Sequence, residues 1–300
     1  MGRKGMTAIS RMVLESDIIL FIRIWAFEFC KTFLIFSVIP VSVLTDFFRK
    51  NTDGVDLNYN ITLYQYFFYP IVGGSIFLLS SGAAIWIAES HHLLFAAMVG
   101  AIFSLGLTGG MSHDGFSDTA DALYSWPIER KYSVIKEPQV GSIGMIFTVL
   151  AILAYVVNFT YALWFILDSK MIILLATLIW AFIIPRVACY YILCYYYQDN
   201  MIEGKLMRVI PSYGIWSEPK DSIWNTTCVY LLTIFLFSLS IKGMLSYVLI
   251  IGLLDFILIR FLTRRWLINL GFLNGDTMGA LTVILDIFNL FAFILLFVYI

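Results

Sequence analysis

The sequence predicts an all-α fold, a polytopic transmembrane helix bundle with about eight spans, from three observations. Hydrophobic residues make up 61% of the 300 residues and charged residues only 13%, against about 25% charged residues in a typical soluble domain. Apolar runs of roughly 20 residues, the length that crosses the bilayer as a helix, recur along the chain. Polar sequence is confined to a few loops. We therefore expect a single integral-membrane domain, residues 1–300, and the net charge of −1 does not suggest nucleic acid as a partner.

The predicted spans follow the apolar runs in chain order. They lie at about 32–46, 66–88, 91–109, 143–167, 171–195, 225–240, 243–261 and 280–300. The segment 17–31 is also apolar, but it contains Arg23, Glu28 and Lys31. We expect it either to lie in the membrane interface or to form half of a helical hairpin with the next segment.

Long polar loops alternate with tight hairpins between the spans, which places all the long loops on one side of the membrane. The long loops are 47–65, 110–142, 196–224 and 262–279. They carry ten Lys and Arg residues, whereas the tight hairpins carry only Lys170 and Lys242. By the positive-inside rule, the long loops are predicted to face the cytoplasm. A functional site built from them would face the cytoplasm too.

The densest acidic cluster lies in "GGMSHDGFSDTADALYS", residues 109–125. Asp114, Asp118 and Asp121 are spaced i, i+4, i+7, which places them on one helical face. Ionised carboxylates so close repel one another unless a cation holds them, and hard oxygen ligands suit Mg²⁺ or Mn²⁺. Glycines nearby let the backbone turn sharply and approach a ligand: Gly109, Gly110 and Gly115. The alternative is a solvated acidic helix face at a membrane boundary.

Two other polar stretches add candidate residues. In "RKYSVIKEPQVGSIGMIF", Lys136 can contact a phosphate and Glu137 can be a further metal ligand, unless the segment is an ordinary basic membrane border. In "GFLNGDTMGAL", Asp276 is a further candidate carboxylate. The alternative there is an Asn-Gly turn in which Asp276 or Thr277 caps the last helix.

Arg186 is an isolated cation within a predicted span, where a charge is costly without a partner. It is expected to pair with Asp286 or Asp255, or with a substrate phosphate. His113 is a candidate acid or base beside Asp114, although a single loop histidine often has no such role.

Together these segments resemble the cobalamin synthase family, adenosylcobinamide-GDP ribazoletransferase. "GGMSHDGFSDTADAL" matches the central family motif at Gly109, Gly110, Asp114, Gly115, Asp118, Thr119 and Asp121. "KEPQVGSIG" matches a second motif at Lys136, Gly141 and Gly144, with Glu137 in place of an aspartate, and "GDTMGA" matches a third at 275–280. The chain departs from the family pattern at Ser112 (a histidine in the family), Ala122, Gln139 and Val283.

The resemblance implies a Mg²⁺-dependent transferase of the cell (inner) membrane. A hydroxyl of α-ribazole, or of its 5′-phosphate, would attack adenosylcobinamide-GDP, and GMP would leave. The family implies metal ligands at Asp114, Asp118, Asp121, Glu137 and Asp276. It implies catalytic roles for Asp114, Asp118, Asp121 and Lys136. It implies substrate binding by Gly109, Gly110, Gly115, Gly141, Gly144, Arg186 and Thr277.

Two other functions are consistent with clustered aspartates in a membrane protein. A CDP-alcohol phosphotransferase-like enzyme needs an aspartate three residues before the Asp-Gly pair, where this chain has Met111. A cation-coupled transporter would more often show internal repeats, and none is evident. The sequence leaves open whether the chain forms an oligomer.

Overall fold

The computed structural model describes residues 8–50, 63–89, 92–127, 130–135, 139–168, 178, 182–183, 185–187 and 244–298. Its helices, numbered here in chain order, are α1 Ala8–Phe36, α2 Ser42–Lys50, α3 Leu63–Ala88, α4 Leu93–Thr108, α5 Met111–Tyr124, α6 Arg130–Val134, α7 Ser142–Asp168, α8 Met244–Leu270 and α9 Gly275–Val298. Residues 182–183 and 185–187 are helical as well. The prediction of an all-α fold agrees with these residues.

The membrane character of the bundle is supported by three described helices that are long and apolar enough to cross a bilayer. They are Phe67–Ala88, Ser142–Asp168 and Gly275–Leu295. The α4–α5 pair, bent by 87°, adds a fourth if it is counted as one span. The predicted spans 171–195 and 225–240 lie largely outside the described residues. The number of about eight spans and the cytoplasmic side of the loops therefore stay predictions.

The N-terminal predictions need correction. Helix α1 continues without a break through 17–31 to Phe36, so neither a span at 32–46 nor a hairpin between these two segments exists. The helix tolerates its charges because the Lys31 ammonium lies 2.9 Å from a Glu28 carboxylate oxygen. The chain leaves the helix before Pro40, whose backbone nitrogen carries no hydrogen and cannot donate a helical hydrogen bond. In the linker 37–41, the Val38 amide donates to the Leu107 carbonyl of α4 at 2.8 Å.

The bundle core is formed where α3, α4, α7 and α9 meet. Phe77 of α3 stacks on Phe182 with ring centroids 3.8 Å apart. Phe159 of α7 packs against the Phe77 ring as well. Small residues allow the helices to approach closely, as in membrane proteins generally. A Cβ at Gly100 would lie only 2.7 Å from the Phe159 ring and 3.2 Å from the Ser80 carbonyl oxygen. This core contains the start of α4 and the later turns of α9, whereas the start of α9 packs against α5 in a second cluster that includes Leu281 and Phe116.

Two consecutive glycines separate α4 from α5. Gly109 and Gly110 both adopt left-handed backbone conformations, with φ of +63° and +70°. Residues other than glycine rarely adopt this conformation. Their amides donate to the Gly106 and Leu105 carbonyls and end α4. The Gly110 carbonyl then accepts from the amides of His113 and Asp114, which starts α5. The turn bends α5 by 87° from α4, and three aspartates lie among the 14 residues of α5.

Candidate active site

Helix α5 presents the predicted acidic face. The helix runs from Met111 to Tyr124, so Asp114, Asp118 and Asp121 occupy successive turns as their spacing predicts. The Asp114 side chain is exposed, whereas those of Asp118 and Asp121 are partly buried. Within the described chain, this helix therefore brings acidic groups from solvent toward the interior of the bundle.

Asp276 approaches this face from the first turn of α9. The two helices are in direct backbone contact, because a Cβ at Gly115 would lie 2.7 Å from the Asp276 Cα and 2.8 Å from its carbonyl oxygen. A similar approach places Gly279 against the Ser112 carbonyl oxygen, at 3.1 Å from an added Cβ. Gly115 was predicted to bind substrate. The structure shows it buried in this helix contact, where it lets the two acidic elements meet.

Asn274 and Thr277 cap the start of α9. The Asn274 carboxamide oxygen accepts from the Thr277 amide at 3.0 Å, and the Thr277 hydroxyl accepts from the Asn274 amide at 2.9 Å. That hydroxyl also donates to the Asn274 carbonyl at 2.9 Å. The Asn274 side-chain nitrogen donates to the Asp276 carboxylate at 2.7 Å. The capping alternative for Thr277 is thus the one observed, and its hydroxyl is already engaged; Asp276 is oriented by the same cap.

The carboxylates of α5 and α9 share one electrostatic environment. Burial, together with the negative charges of Asp114, Asp276 and Asp121, raises the pKa of Asp118 to about 6. Each of these neighbours disfavours the ionised form of Asp118. A bound cation would remove this repulsion.

The donor set suits a hard divalent cation that is only partly enclosed by protein. Among the described residues, no three His, Cys, Asp or Glu side chains come close enough to hold an ion by themselves. Mg²⁺ commonly binds through one or two carboxylates, while water and substrate phosphates complete its shell. One or two of Asp114, Asp118 and Asp276 would fit that pattern. Lys136 and Glu137 lie outside the described residues.

Asp121 makes a contact that the sequence did not suggest. One of its carboxylate oxygens accepts from the Gly141 amide at 2.7 Å and the other accepts from the Gly144 amide at 2.8 Å. A Cβ at either glycine would overlap this carboxylate. Asp121 therefore fixes the start of α7 to α5, and its charge is placed favourably at a helix N-terminus. Gly141 and Gly144, predicted to bind substrate, make room for this contact; a metal-binding role for Asp121 stays a prediction.

Arg186 has the carboxylate partner that was one of its predicted alternatives. Its two terminal nitrogens donate to the Asp286 carboxylate at 2.7 and 2.9 Å, and one of them also donates to the Phe182 carbonyl. The side chain packs directly against Gly73. Asp255 instead accepts a hydrogen bond from Asn289 at 3.2 Å. These contacts use three of the five N–H donors of the guanidinium.

A small cavity of about 40 Å³ is lined by both members of the Arg186–Asp286 pair and by residues of α5. Ser112 and His113 line it from α5, and Tyr155 lines it from α7. A volume of this size holds roughly three water molecules. Burial lowers the pKa of His113 to about 4, so the imidazole is neutral at pH 7 and each ring nitrogen can make one directional hydrogen bond.

A larger cleft of about 660 Å³ opens on the other side of His113, between the start of α5 and the first turns of α7. Two of the glycines predicted to bind substrate, Gly109 and Gly110, line it together with Asp114. Ser117 and Thr148 also line it, and sequence reasoning did not identify them. Two signals in the sequence could have indicated them. Ser117 follows His113 by four residues, which places both on one helical face, and Thr148 is a hydroxyl residue in the otherwise apolar start of α7.

Comparison with known proteins gives a consistent family match. The sequence model of the family described as cobalamin-5-phosphate synthase matches residues 28–294. An adenosylcobinamide-GDP ribazoletransferase of Desulforamulus reducens is 28% identical over 267 residues, which cover 86% of this chain and 95% of the relative. The protein of the same name from Shewanella piezotolerans is 28% identical over 231 residues, 73% of this chain and 80% of the relative. One from Acinetobacter baumannii is 27% identical over 238 residues, 77% and 86% of the two chains. No solved structure matches this chain.

The range matched by the family model contains every predicted site residue, from Gly109 to Thr277. The alignment with the Desulforamulus reducens relative covers most of both chains. The predicted resemblance is therefore confirmed, as is the prediction that the chain is a transferase of this kind. The chain belongs to the cobalamin-5-phosphate synthase family.

Proposed function

We propose that this chain joins adenosylcobinamide-GDP to α-ribazole, or to its 5′-phosphate, and releases GMP. A hydroxyl oxygen of the nucleoside forms a new bond to the cobinamide-linked phosphorus. The bond from that phosphorus to the bridging oxygen of the diphosphate breaks, and GMP leaves with that oxygen. The hydroxyl loses its proton, so one proton is released for each bond formed.

The observation that carries this proposal is the meeting of Asp114 and Asp118 on α5 with Asp276 on α9. The cost of placing these carboxylates together supports a cation-dependent role rather than a merely solvated helix face. Mg²⁺ bound there would neutralise the diphosphate and stabilise charge on the attacking and leaving oxygens. Gly115 sets the distance between the two helices, since any side chain at that position would force them apart.

The remaining described residues position these carboxylates and admit substrate. Asp121 fixes α7 to α5 through two backbone amides, and this contact sets one wall of the cleft beside Asp114. Asn274 orients Asp276. A carboxylate of the cluster would accept the hydroxyl proton. The bulky corrinoid would remain outside the cleft, at the membrane surface.

The site is proposed to face the cytoplasm, in a multi-pass protein of the cell (inner) membrane. This orientation rests on the concentration of Lys and Arg in the loops predicted on the same side as α5. The polar character of α5 and its 87° bend from α4 are compatible with a site at the boundary between bilayer and cytosol.

The direct test is an assay of the full chain, purified in detergent and reconstituted in lipid nanodiscs, with adenosylcobinamide-GDP, α-ribazole and Mg²⁺. We expect one GMP released for each nucleoside consumed. The relative from Desulforamulus reducens, prepared in the same way, serves as the positive control. Absence of GMP with an active control would overturn the proposal.

A further inference from the structure

The cleft between α5 and α7, which we name the α5–α7 cleft, has two chemically different walls. Its apolar wall is formed by Val140, Met145 and Val149. Its polar wall is formed by His113, Ser117 and Thr148. Its volume of about 660 Å³ falls within the range of small-molecule sites.

The polar wall holds buried atoms that have no hydrogen-bond partner among the described residues. They are the Nδ1 of His113, the Oγ of Ser117 and the Oγ1 of Thr148. Ser117 is only 4% exposed. A buried polar atom left without a partner costs about 1–3 kcal/mol, so a ligand that reached these three atoms from the cleft would recover that cost.

These polar atoms lie along one line of contact between the helices. His113 and Ser117 are four residues apart on α5 and therefore share a face. That face meets the start of α7, because a Cβ at Gly144 would lie 2.5 Å from the Ser117 hydroxyl oxygen and 2.6 Å from its carbonyl oxygen, so this hydroxyl borders the contact between the helices. Thr148 lies one helical turn beyond Gly144 along α7 and shares its face, whereas Met145 and Val149 form the neighbouring stripe of that helix. A ligand between the two walls would have hydrogen bonds along one edge and an apolar contact on its face.

We propose that the α5–α7 cleft binds the flat heteroaromatic base of the incoming nucleoside, α-ribazole, an assignment that rests on the proposed function. A ring with few polar atoms uses both walls, since its face packs on Met145 and Val149 while its ring nitrogen meets the hydroxyls. Asp114 belongs both to this cleft and to the acidic cluster. A nucleoside whose base occupies the cleft therefore places its ribose toward the carboxylates.

Two other occupants fit these walls less well. The guanine of GDP presents several donors and acceptors along its edge, and the apolar wall would leave part of them without partners. A lipid acyl chain would fill the apolar wall but satisfy none of the three polar atoms.

The test uses the full chain in nanodiscs with Thr148→Val and Ser117→Ala, singly and together. Each variant removes one hydroxyl with little change in shape. We expect the KM for α-ribazole and its dissociation constant, measured by equilibrium dialysis without the second substrate, to rise about fivefold in each single variant. This corresponds to roughly one neutral hydrogen bond. The KM for adenosylcobinamide-GDP and inhibition by GMP should stay as in the wild type.

Thr160→Val is the matched control on α7, because the Thr160 hydroxyl already bonds to the Val156 carbonyl at 2.8 Å. It should leave α-ribazole binding unchanged. Unchanged α-ribazole binding in the double variant would overturn the inference, as would a selective loss of GMP inhibition, which would assign the cleft to guanine. If the wild type releases GMP and the variants behave like it, only this inference fails. If the wild type neither binds α-ribazole nor releases GMP, the proposed function fails as well.

Discussion

Arg186 and Asp286 form a bidentate ion pair inside the helix bundle, with nitrogen–oxygen distances of 2.7 and 2.9 Å. Both side chains are largely buried, at 9% and 14% exposure. The pair lies beneath α5, across the small cavity lined by Ser112 and His113. It therefore connects the helical segment around Arg186 to α9, the helix that carries Asp276.

Loss of one partner of this pair should destabilise the bundle more than loss of both. Asp286→Asn leaves the guanidinium buried without its counter-charge, and we expect a loss of about 3–5 kcal/mol of stability. The double variant Arg186→Met/Asp286→Leu removes both charges and should recover much of that loss. Thermal unfolding in detergent measures both, with exposed Asp168→Asn as the control. A double variant no more stable than the single one would contradict this.

The pair also shows what the sequence could and could not predict. A lone arginine in an apolar span indicated that an acidic partner or a phosphate must exist, and Asp286 was one of the named partners. The choice among them depended on how segments 100 residues apart pack together. That choice is set by tertiary contacts, which residue spacing along one helix does not reveal.

In the acidic site too, features set by local helix geometry could be predicted from the sequence, whereas contacts between distant segments could not. The i, i+4, i+7 spacing predicted the face of α5, because helical geometry is local. The clamp from Asp121 to Gly141 and Gly144 spans a loop, and it was not foreseen. The end of α1 was also missed: residues 32–46 were interpreted as one apolar span although Pro40 lies within them, and the bond from Val38 to Leu107 depends on a neighbouring helix.

Asp121→Asn should loosen α7 from α5 without removing a large side chain. The amide has one acceptor oxygen and one donor nitrogen, so it can accept only one of the two backbone amides and opposes the other. We expect a loss of about 1.5–3 kcal/mol in thermal unfolding, typical of a hydrogen bond to a charged group. We also expect faster proteolysis between α5 and α7. Wild-type stability and proteolysis would show that the clamp contributes little.

Asp118→Asn should remove turnover while leaving the fold intact. Asp118 is partly buried and is repelled by the negative charges of Asp114, Asp276 and Asp121, so a cation beside it would act directly on its carboxylate. We expect GMP release to fall at least about 100-fold, on the scale of losing an electrostatic contribution to a transition state. Membrane insertion and the unfolding midpoint should stay close to wild type. Asp168→Asn, at the far end of α7, is the matched control, and undiminished turnover in Asp118→Asn would remove the role assigned to it.

Gly115→Ala tests whether the close approach of α5 and α9 matters for activity. The added methyl group would lie 2.7 Å from the Asp276 Cα, so one helix must shift. Overpacking of this kind costs about 1–3 kcal/mol, and a displacement of about 1 Å at a reacting centre can lower the rate about 100-fold. Gly82→Ala in α3 is the control, because no atom lies within 4 Å of its Cβ position. Equal stability and activity in the two variants would contradict the assigned contact.

Removal of divalent cations should abolish turnover reversibly. After treatment with EDTA and buffer exchange, we expect GMP release to stop and to return on addition of Mg²⁺. Ca²⁺ should restore it poorly, because it prefers longer bonds and less regular coordination than Mg²⁺. Asp276→Asn removes one negative donor, so its activity should require a higher Mg²⁺ concentration, whereas Asp168→Asn should titrate like the wild type. Full activity in EDTA, or an unchanged Mg²⁺ requirement in Asp276→Asn, would show that the carboxylates of α5 and α9 do not act through a bound cation.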